Sequence, residues 1–314
     1  MQAAILHLGL YGGYGNKTTI PNLSKSRLAS FPVPLQPLPE QRAIAQVLRT
    51  VQRAKEATER VLAATRELKK SLMRHLFTYG PVPIDQADQV RLQETEIGPV
   101  PEHWEVVRLG EVATVRGGVG FPHKYQGAAQ GEYPFIKVSD MNLPGNETHI
   151  VRANHYVNRD VQMALKAKPF PPGTTVFPKV GAALHTNKKR LLTCPTVIDN
   201  NMMGVVPTMP GRSTPEFLFR WFENTNISDF SNPGPLPSIN ATTVKAAKLP
   251  LPPLPEQRTI ADMLRAMDRK IQAEERRKAA LDALFKTLLQ QLMTGKVRVA
   301  PGFVQQFNRE FSHE

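Results

Sequence analysis

The chain has 314 residues and one cysteine, Cys194. That excludes a disulfide framework and fits a reducing compartment. No apolar run approaches the ~20 residues that span a bilayer. The first residues, MQAAILHLGLYGGYGN, have no basic stretch and are broken early by Gly and Tyr, so they read poorly as a secretory leader. A cytoplasmic protein is expected. Catalytic signatures are missing too. Gly295-Lys296 lacks the upstream glycine of a phosphate-cradling loop. Ser231-Asn232-Pro233-Gly234 is the nearest string to a [DNS]PP[YFW] methyltransferase tetrad, and it lacks the second proline. The eight histidines are scattered, and none stands at metal-ligand spacing beside Cys194. Glu275-Arg276-Arg277-Lys278 has the composition of a nuclease cluster but lies within a long helical segment. The expectation is a chain that is not an enzyme, binds no metal and carries no cofactor of its own.

What is present is positive charge, net +13, unevenly placed. Segment 30–80 has nine Lys/Arg against four Asp/Glu, and segment 248–299 has eleven against six. Segment 81–247, with sixteen against fifteen, is nearly neutral. An excess of this size points to an anionic partner, most often nucleic acid. A solvated helix surface is the plainer reading of the same charge.

The two basic segments are copies of each other. LPEQR occurs at Leu38–Arg42 and again at Leu254–Arg258, an offset of 216 residues. About half the positions of 38–78 are identical to those of 254–294, among them Ile44/Ile260, Leu48/Leu264, Arg49/Arg265, Ala63/Ala279, Leu68/Leu284 and Leu72/Leu288. Each copy opens on prolines, Pro32, Pro34, Pro37 and Pro39 in one and Pro250, Pro252, Pro253 and Pro255 in the other. Such leads are extended, and the helix starts at the last proline with a glutamate in its first turn. Neither glycine nor proline follows until Gly80 and Gly295. Two helices of about 40 residues, each ~60 Å long, are predicted.

Heptads in the first helix run through Ile44, Val47, Val51, Ala54, Thr58, Val61, Thr65, Leu68 and Leu72. The second has two apolar ends, Ile260, Leu264, Met267, Ile271 and then Leu281, Leu284, Leu288, Leu292, with Glu274, Arg277 and Lys278 interrupting its middle. Two half-apolar helices in one chain bury their stripes most simply on each other, and an antiparallel coiled coil is the preferred arrangement.

Between them, 81–247 is rich in Gly, Pro, β-branched residues and single aromatics. Strands are predicted at Trp104–Leu109, Tyr133–Val138 and Thr174–Phe177, and a helix at Pro215–Phe222. The fold class is α+β: one mixed α/β domain plus two long helices. Thr19-Ile20-Pro21-Asn22 stands before the first proline lead much as Pro237-Ser238-Ile239-Asn240 stands before the second. Residues 1–29 therefore read as the C-terminal end of a domain like the central one. The domain boundaries are 1–29 for this remnant, 30–80 for the first lead and helix, 81–247 for the central domain, 248–299 for the second lead and helix, and 300–314 for a tail.

One stretch of the central domain stands out. No acidic residue occurs between Asp160 and Asp199, whereas Lys166, Lys168, Lys179, Lys188, Lys189 and Arg190 do. Polar groups suited to base edges interleave or follow: His185, Thr186, Asn187, Asn200 and Asn201. Lysine and arginine position phosphates, and amides or arginine read bases. The candidate DNA-binding residues are Lys166, Lys168, Lys179, His185, Asn187, Lys188, Lys189, Arg190, Asn200 and Asn201.

The repeated PLPEQRAIAQVL and PLPEQRTIADML, each leading a long helix, resemble the specificity subunit of type I restriction–modification systems. So does Ile97-Gly98-Pro99-Val100-Pro101-Glu102-His103-Trp104, followed by Leu109-Gly110-Glu111, which matches the opening of that family's target recognition domains. The resemblance covers about 19–299. It implies one intact recognition domain and two conserved helical regions that form an antiparallel pair. It implies double-stranded DNA, methyltransferase subunits and restriction or translocase subunits as partners, with a second copy of the chain as a further one. S-adenosylmethionine, ATP and Mg belong on this reading to the partner subunits. A truncated or half-type specificity subunit is expected, because most of a first recognition domain is missing from the pattern. The competing readings are a coiled-coil adaptor and an inactive remnant. Salt-dependent DNA binding separates them from the first, since phosphate contacts release counterions.

Overall fold

The computed structural model describes residues 34–232 and 237–310, and the proposed remnant at 1–29 lies outside the described residues. The chain falls into two compact units, one of residues up to Leu68 together with Met267 onward, the other Lys69–Ala266.

Two helices dominate, Leu38–Tyr79 and Leu254–Met293. Both begin at the proline leads, with Glu40 and Glu256 in their first turns. They end at Gly80 (φ 82°) and Gly295 (φ 71°), left-handed positions that glycine takes without penalty. The Gly80 amide donates to Leu76 O at 3.1 Å and that of Gly295 to Leu292 O at 3.2 Å. Absence of Gly or Pro beyond the first turn lets each helix run through about eleven turns.

In the first unit the helices lie antiparallel. The cross-helix ion pairs Lys55–Asp282 (2.5 Å), Glu59–Lys278 (3.3 Å) and Arg66–Glu275 (2.7 Å) ascend one helix while descending the other. The seam differs from strict heptads. Val61 is 42% exposed and Leu68 56%, whereas Leu62 is buried. The inward stripe steps by four residues from Ala54 to Thr58 and by four again to Leu62, then continues at Thr65. A heptad assumes 3.5 residues per turn, and the extra step lets the stripe follow the natural ~3.6. The second helix corrects the sequence reading in the same way. Leu284 is 44% exposed, and Phe285, carrying the Lys55 ammonium 5.1 Å above its ring, takes the inward place. Glu274 and Lys278 do not break the seam but sit in it. Glu274 is buried, bound to Lys270 at 2.6 Å, and this pairing holds its carboxyl below the usual range.

The second unit is the mixed α/β body. A five-stranded sheet has the order Ala113–Gly117, Met202–Pro207, Thr175–Pro178, Arg190–Leu192, His149–Ile150. Its first four strands are joined antiparallel and the last pair is parallel. A three-stranded sheet, Val197–Ile198, Tyr133–Ile136, His155–Val157, stands beside it in sequence. Helix Pro215–Asn224 is started by Thr214, whose hydroxyl accepts from the Phe217 amide at 3.2 Å, with proline in its first turn. It buries Phe217, Leu218, Trp221 and Phe222 against Phe177 and Val205 of the large sheet, and Leu76, Phe77, Ile260 and Leu264 of the two long helices join this core. The predicted strands at 104–109, 133–138 and 174–177 and the helix at 215–222 are all found, within two residues of their expected ends.

The two ends of the α/β body meet. Strand Glu105–Arg108 pairs antiparallel with Lys248–Leu251, the first residues of the second proline lead. Trp104, 2% exposed, donates its indole N–H to Glu256 Oε2 at 3.0 Å, and His103 Nε2 lies 2.7 Å from Glu256 Oε1. Gln257 is fully buried; it donates to Pro252 O and Arg212 O and accepts from the Thr214 amide. The EQ of the motif thus ties the second long helix to the body.

Candidate nucleic-acid interface

The site is built at one end of the five-stranded sheet. The register sets Met203 opposite Gly117 and Met202 opposite Pro178, so residues 117–118, 178–179 and 199–202 share that end. Gly118 has no room for a side chain: a Cβ there would lie 2.1 Å from Asp199 O and 2.2 Å from Ile198 O. Asp199 is buried, its carboxyl pushed up by desolvation and partly held down by the Asn201 amide it accepts at 2.9 Å. That bond and Met202 N donating to Asp199 O at 3.1 Å make a tight turn, and the turn presents Asn200 and Asn201 to solvent. Lys179, anchored through its amide to Asn201 O at 2.9 Å, extends over Gly117, where a Cβ would stand 3.1 Å from Nζ.

Arg116, next along the edge strand, shows how basic residues are held at this end. Its guanidinium lies 3.5 Å above the Phe170 ring and donates to Lys168 O at 2.7 Å and Pro169 O at 3.0 Å. Those bonds hold the loop in which Lys166, left-handed at φ 49°, and Lys168 are exposed.

The remaining candidates divide. His185 and Thr186 are exposed on the short helix Gly181–Thr186. Asn187 closes that helix in the left-handed region, and its Oδ1 accepts from Lys189 Nζ at 2.7 Å and the Ile227 amide at 2.9 Å. Lys188 bonds Asn142 Oδ1. Lys189 is 5% exposed, and its ammonium also donates to Thr225 O at 2.6 Å. Burial brings its pKa down to about 8, against the pull of Glu223 and Asp229. Arg190 donates to Asn146 O, to Lys189 O at 2.7 Å and to Met141 O at 3.0 Å. Lys189 and Arg190 are therefore loop ties rather than free cations, and the neutral amide of Asn187 is engaged through its Oδ1. The physical reason is that carbonyls brought in from 141, 146 and 225 need donors, and these side chains supply them.

A second loop at the same end is missing from the sequence candidates. Val119 bridges to Asp199, and the chain continues through Phe121-Pro122-His123-Lys124-Tyr125-Gln126. Phe121 stacks on Phe135 with centroids 3.6 Å apart, and Gln126 Oε1 accepts from Lys137 Nζ at 2.6 Å. Lys124 lies 4.8 Å from the Tyr125 ring centre and is exposed. Gly-Gly-x-Gly followed by a basic, aromatic string is the signal that was there to be used. Among the described residues no group of three or more His, Cys, Asp or Glu is placed to hold a metal ion, and no helix is long and apolar enough to cross a membrane.

The fold has precedents. The structure matches that of a chain in a study of complex assembly and conformational transition of the type I R-M system, with a TM-score of 0.59 and 18% identity, covering 92% of this chain and 67% of that one. It also matches the S subunit of a type I restriction-modification system from M. genitalium, with a TM-score of 0.54 and 17% identity over 92% of this chain and 72% of the other. The HsdS subunit from Thermoanaerobacter tengcongensis gives a TM-score of 0.51 and 17% identity over 94% and 68%. The chain shares its fold with these three chains.

The sequence places the chain more narrowly. The family model of the type I restriction modification DNA specificity domain matches residues 6–64 and 101–283, well over half the chain, and the protein belongs to that family. The MjaVIII specificity subunit of Methanocaldococcus jannaschii is 26% identical over 293 residues, 90% of this chain and 66% of the relative. The putative MjaX specificity subunit of the same organism is 24% identical over 289 residues, 88% and 62%. The chain thus spans less than two thirds of the length of either relative.

Proposed function

We propose that this chain reads DNA as the non-catalytic specificity subunit of a type I restriction–modification complex. Residues 81–247 act as the target recognition domain, and the two long helices act as spacer and assembly scaffold. Methyltransferase and restriction or translocase subunits supply the chemistry, with S-adenosylmethionine, ATP and Mg bound on those chains. The observation that carries this reading is the end of the five-stranded sheet. Lys168, Asn200 and Asn201 face solvent there around Gly117 and Gly118, half-buried Lys179 extends over Gly117, and Lys124 is exposed on the adjoining loop. Cations set phosphate register, exposed amides reach base edges, and side-chain-free backbone lets a duplex come close. Internal ties supporting each of these groups are what precise base reading requires.

One recognition domain reads one half-site. Two copies in a complex bring identical readers related by a two-fold axis, and such an assembly reads an inverted repeat. The test is to express the chain with its methyltransferase subunit and map methylated bases. Methylation at a palindromic interrupted site is expected, with chain-dependent DNA affinity that falls as salt rises. Salt-independent affinity, or methylation that does not change when the recognition domain is exchanged, overturns the proposal.

A further inference from the structure

The two long helices are copies whose seams no longer match. In the first unit the inward positions Val51, Lys55, Thr58, Leu62 and Thr65 are buried or half-buried, as are their counterparts Met267, Ile271, Glu274, Lys278 and Leu281. All five pairs differ, although about half the positions of the two segments are identical. The contacts across the seam show what the difference does. Lys55 binds Asp282 at 2.5 Å and holds its ammonium 5.1 Å from the Phe285 ring centre. Glu59 binds Lys278 at 3.3 Å, Lys278 reaches Asp282 at 4.0 Å, and Arg66 binds Glu275 at 2.7 Å. Opposite charges thus meet at every cross-helix pair.

The repeat allows each contact to be rebuilt for two like helices, by putting every residue's counterpart in its place at the same register. Between the first helices of two copies, Arg66 stands where Asp282 was and Lys69 where Phe285 was, so Lys55 faces two cations. Glu59 faces Leu62 instead of Lys278, and of the three attractions only Arg66 with Glu59 survives. Between two second helices, Asp282 stands where Arg66 was and faces Glu275. Asp282 in turn meets Ile271 instead of Lys55, and only Lys278 with Glu275 survives. That pairing also buries two Glu274 carboxylates, each with an Oε2 that accepts no hydrogen bond among the described residues. A two-fold axis makes every one of these losses occur twice.

We infer that the seam carries a pairing code: each long helix accepts a helix of the other kind and rejects its own kind. Charges flanking a helical seam choose partners more than they stabilise, because a like-charge contact costs about what an opposite-charge contact contributes. The code turns on Lys55 and Asp282. Reversing Lys55 makes every charged contact between two first helices attractive, and reversing Asp282 does the same for two second helices. The partner that fits the first helix is therefore a second helix, from its own chain or exchanged from another copy. In a complex of two copies the helix pairs stay closed within each chain or exchange first for second, a property of the seam that is independent of DNA reading.

The test uses the full chain carrying Cys194→Ser and Leu62→Cys. Between two first helices Glu59 would face Leu62 and Arg66 would face Glu59, so position 62 falls beside its own twin at the two-fold axis. Mild oxidation then links two chains where like helices meet. Little linked dimer is expected with the native charges, and about tenfold more after Lys55→Glu, with the melting temperature lowered by about 2–4 °C. Adding Asp282→Lys is expected to return both readouts to their starting values, because it restores the attraction within the chain. Lys55→Gln removes the attraction and creates no new one, so it should lower the melting temperature without raising the linked fraction. Equal linkage with and without Lys55→Glu, including none in either, overturns the inference. So does a rise with Lys55→Gln as large as with Lys55→Glu, which would make loosening of the seam the cause, or a failure of Asp282→Lys to reverse the effect.

Discussion

Glu40 and Glu256 occupy the same place in the same motif and end in different surroundings. Each starts a long helix after an extended proline lead, and each motif closes on itself alike. Gln41 donates to Gln36 O at 2.7 Å, and Gln257 donates to Pro252 O at 2.8 Å, the same bond shifted by the repeat. Beyond that the copies part. Glu256 receives Trp104 and His103 from the recognition domain, with Gly80 alongside. Glu40 is gripped by Arg298, which lies in the chain after the second helix, and this pairing holds its carboxyl below the usual range. A cleft of about 550 Å³ opens beside it, lined by Pro37, Pro39, Val299, Pro301 and Val304. The motif therefore specifies a carboxylate at a helix start and the local bonds that position it. The donor that meets the carboxylate depends on which segment the fold delivers.

The sharpest break in that comparison is Trp104→Ala. It removes a buried indole and leaves Glu256 Oε2 without its indole donor, His103 remaining on Oε1, and a loss of about 3–5 kcal/mol is expected in urea unfolding. Arg298→Ala removes the matching donor from Glu40, and its much smaller shift is the contrast to measure. Equal effects would mean that the two glutamates are equivalent after all.

Arg190→Ala should come next, because it strands the carbonyls of Met141, Asn146 and Lys189. About 1–3 kcal/mol is expected. A weaker salt dependence of DNA binding at full stability would instead return Arg190 to the interface. Gly80→Ala and Gly295→Ala both force a side chain into the left-handed region, at about 1 kcal/mol or more. Gly80 should cost more, since its Cβ would meet Glu256 and Trp104 at 3.3 Å, whereas Gly295 has only Gln36 at 4.0 Å. Equal melting temperatures for the two variants would show that crowding contributes nothing.

Lys189 supplies a pH test. Its folded pKa, about 8, lies below the ordinary 10.5. Between those values the unfolded chain binds more protons, so stability from this group rises as pH climbs through the window. The unfolding free energy of the native chain relative to Lys189→Met should shift in favour of the native chain from pH 8 toward pH 10. A flat difference would show that Lys189 is not buried. The smallest effect is Lys179→Ala: unchanged stability and a salt slope reduced by about one phosphate contact. An unaltered slope would leave Lys179 outside the interface.

Much of this was legible in the sequence. Proline leads, a first-turn glutamate and a terminal glycine mark both long helices, because each acts through its own backbone or the next turn. Alternation marked the strands at Glu105–Arg108 and Thr175–Pro178 for the same local reason. Less legible was the seam. A heptad reading placed Val61 and Leu68 inside, and the real helical period moved the stripe to Leu62. The charged positions Glu274 and Lys278 looked like interruptions, yet ion pairing across and along the helices accommodates them in the seam. In the candidate site, Lys168, Asn200 and Asn201 are exposed as expected and Lys179 is half-buried, whereas Lys189 and Arg190 face inward. A run of positive residues reports local charge and says nothing about which carbonyls arrive from elsewhere in the chain.

Sequence by itself determined the elements, the duplicated motif and the location of the charge, since each of these is written in residues within a few turns of one another or in the repeat itself. Tertiary structure alone decided which cations remain free for a ligand, which donor meets each glutamate, and which face of each helix is covered. Those outcomes depend on pairings between segments as far apart as Trp104 and Glu256 or Glu40 and Arg298, and on the requirement that buried polar groups find partners wherever the fold places them.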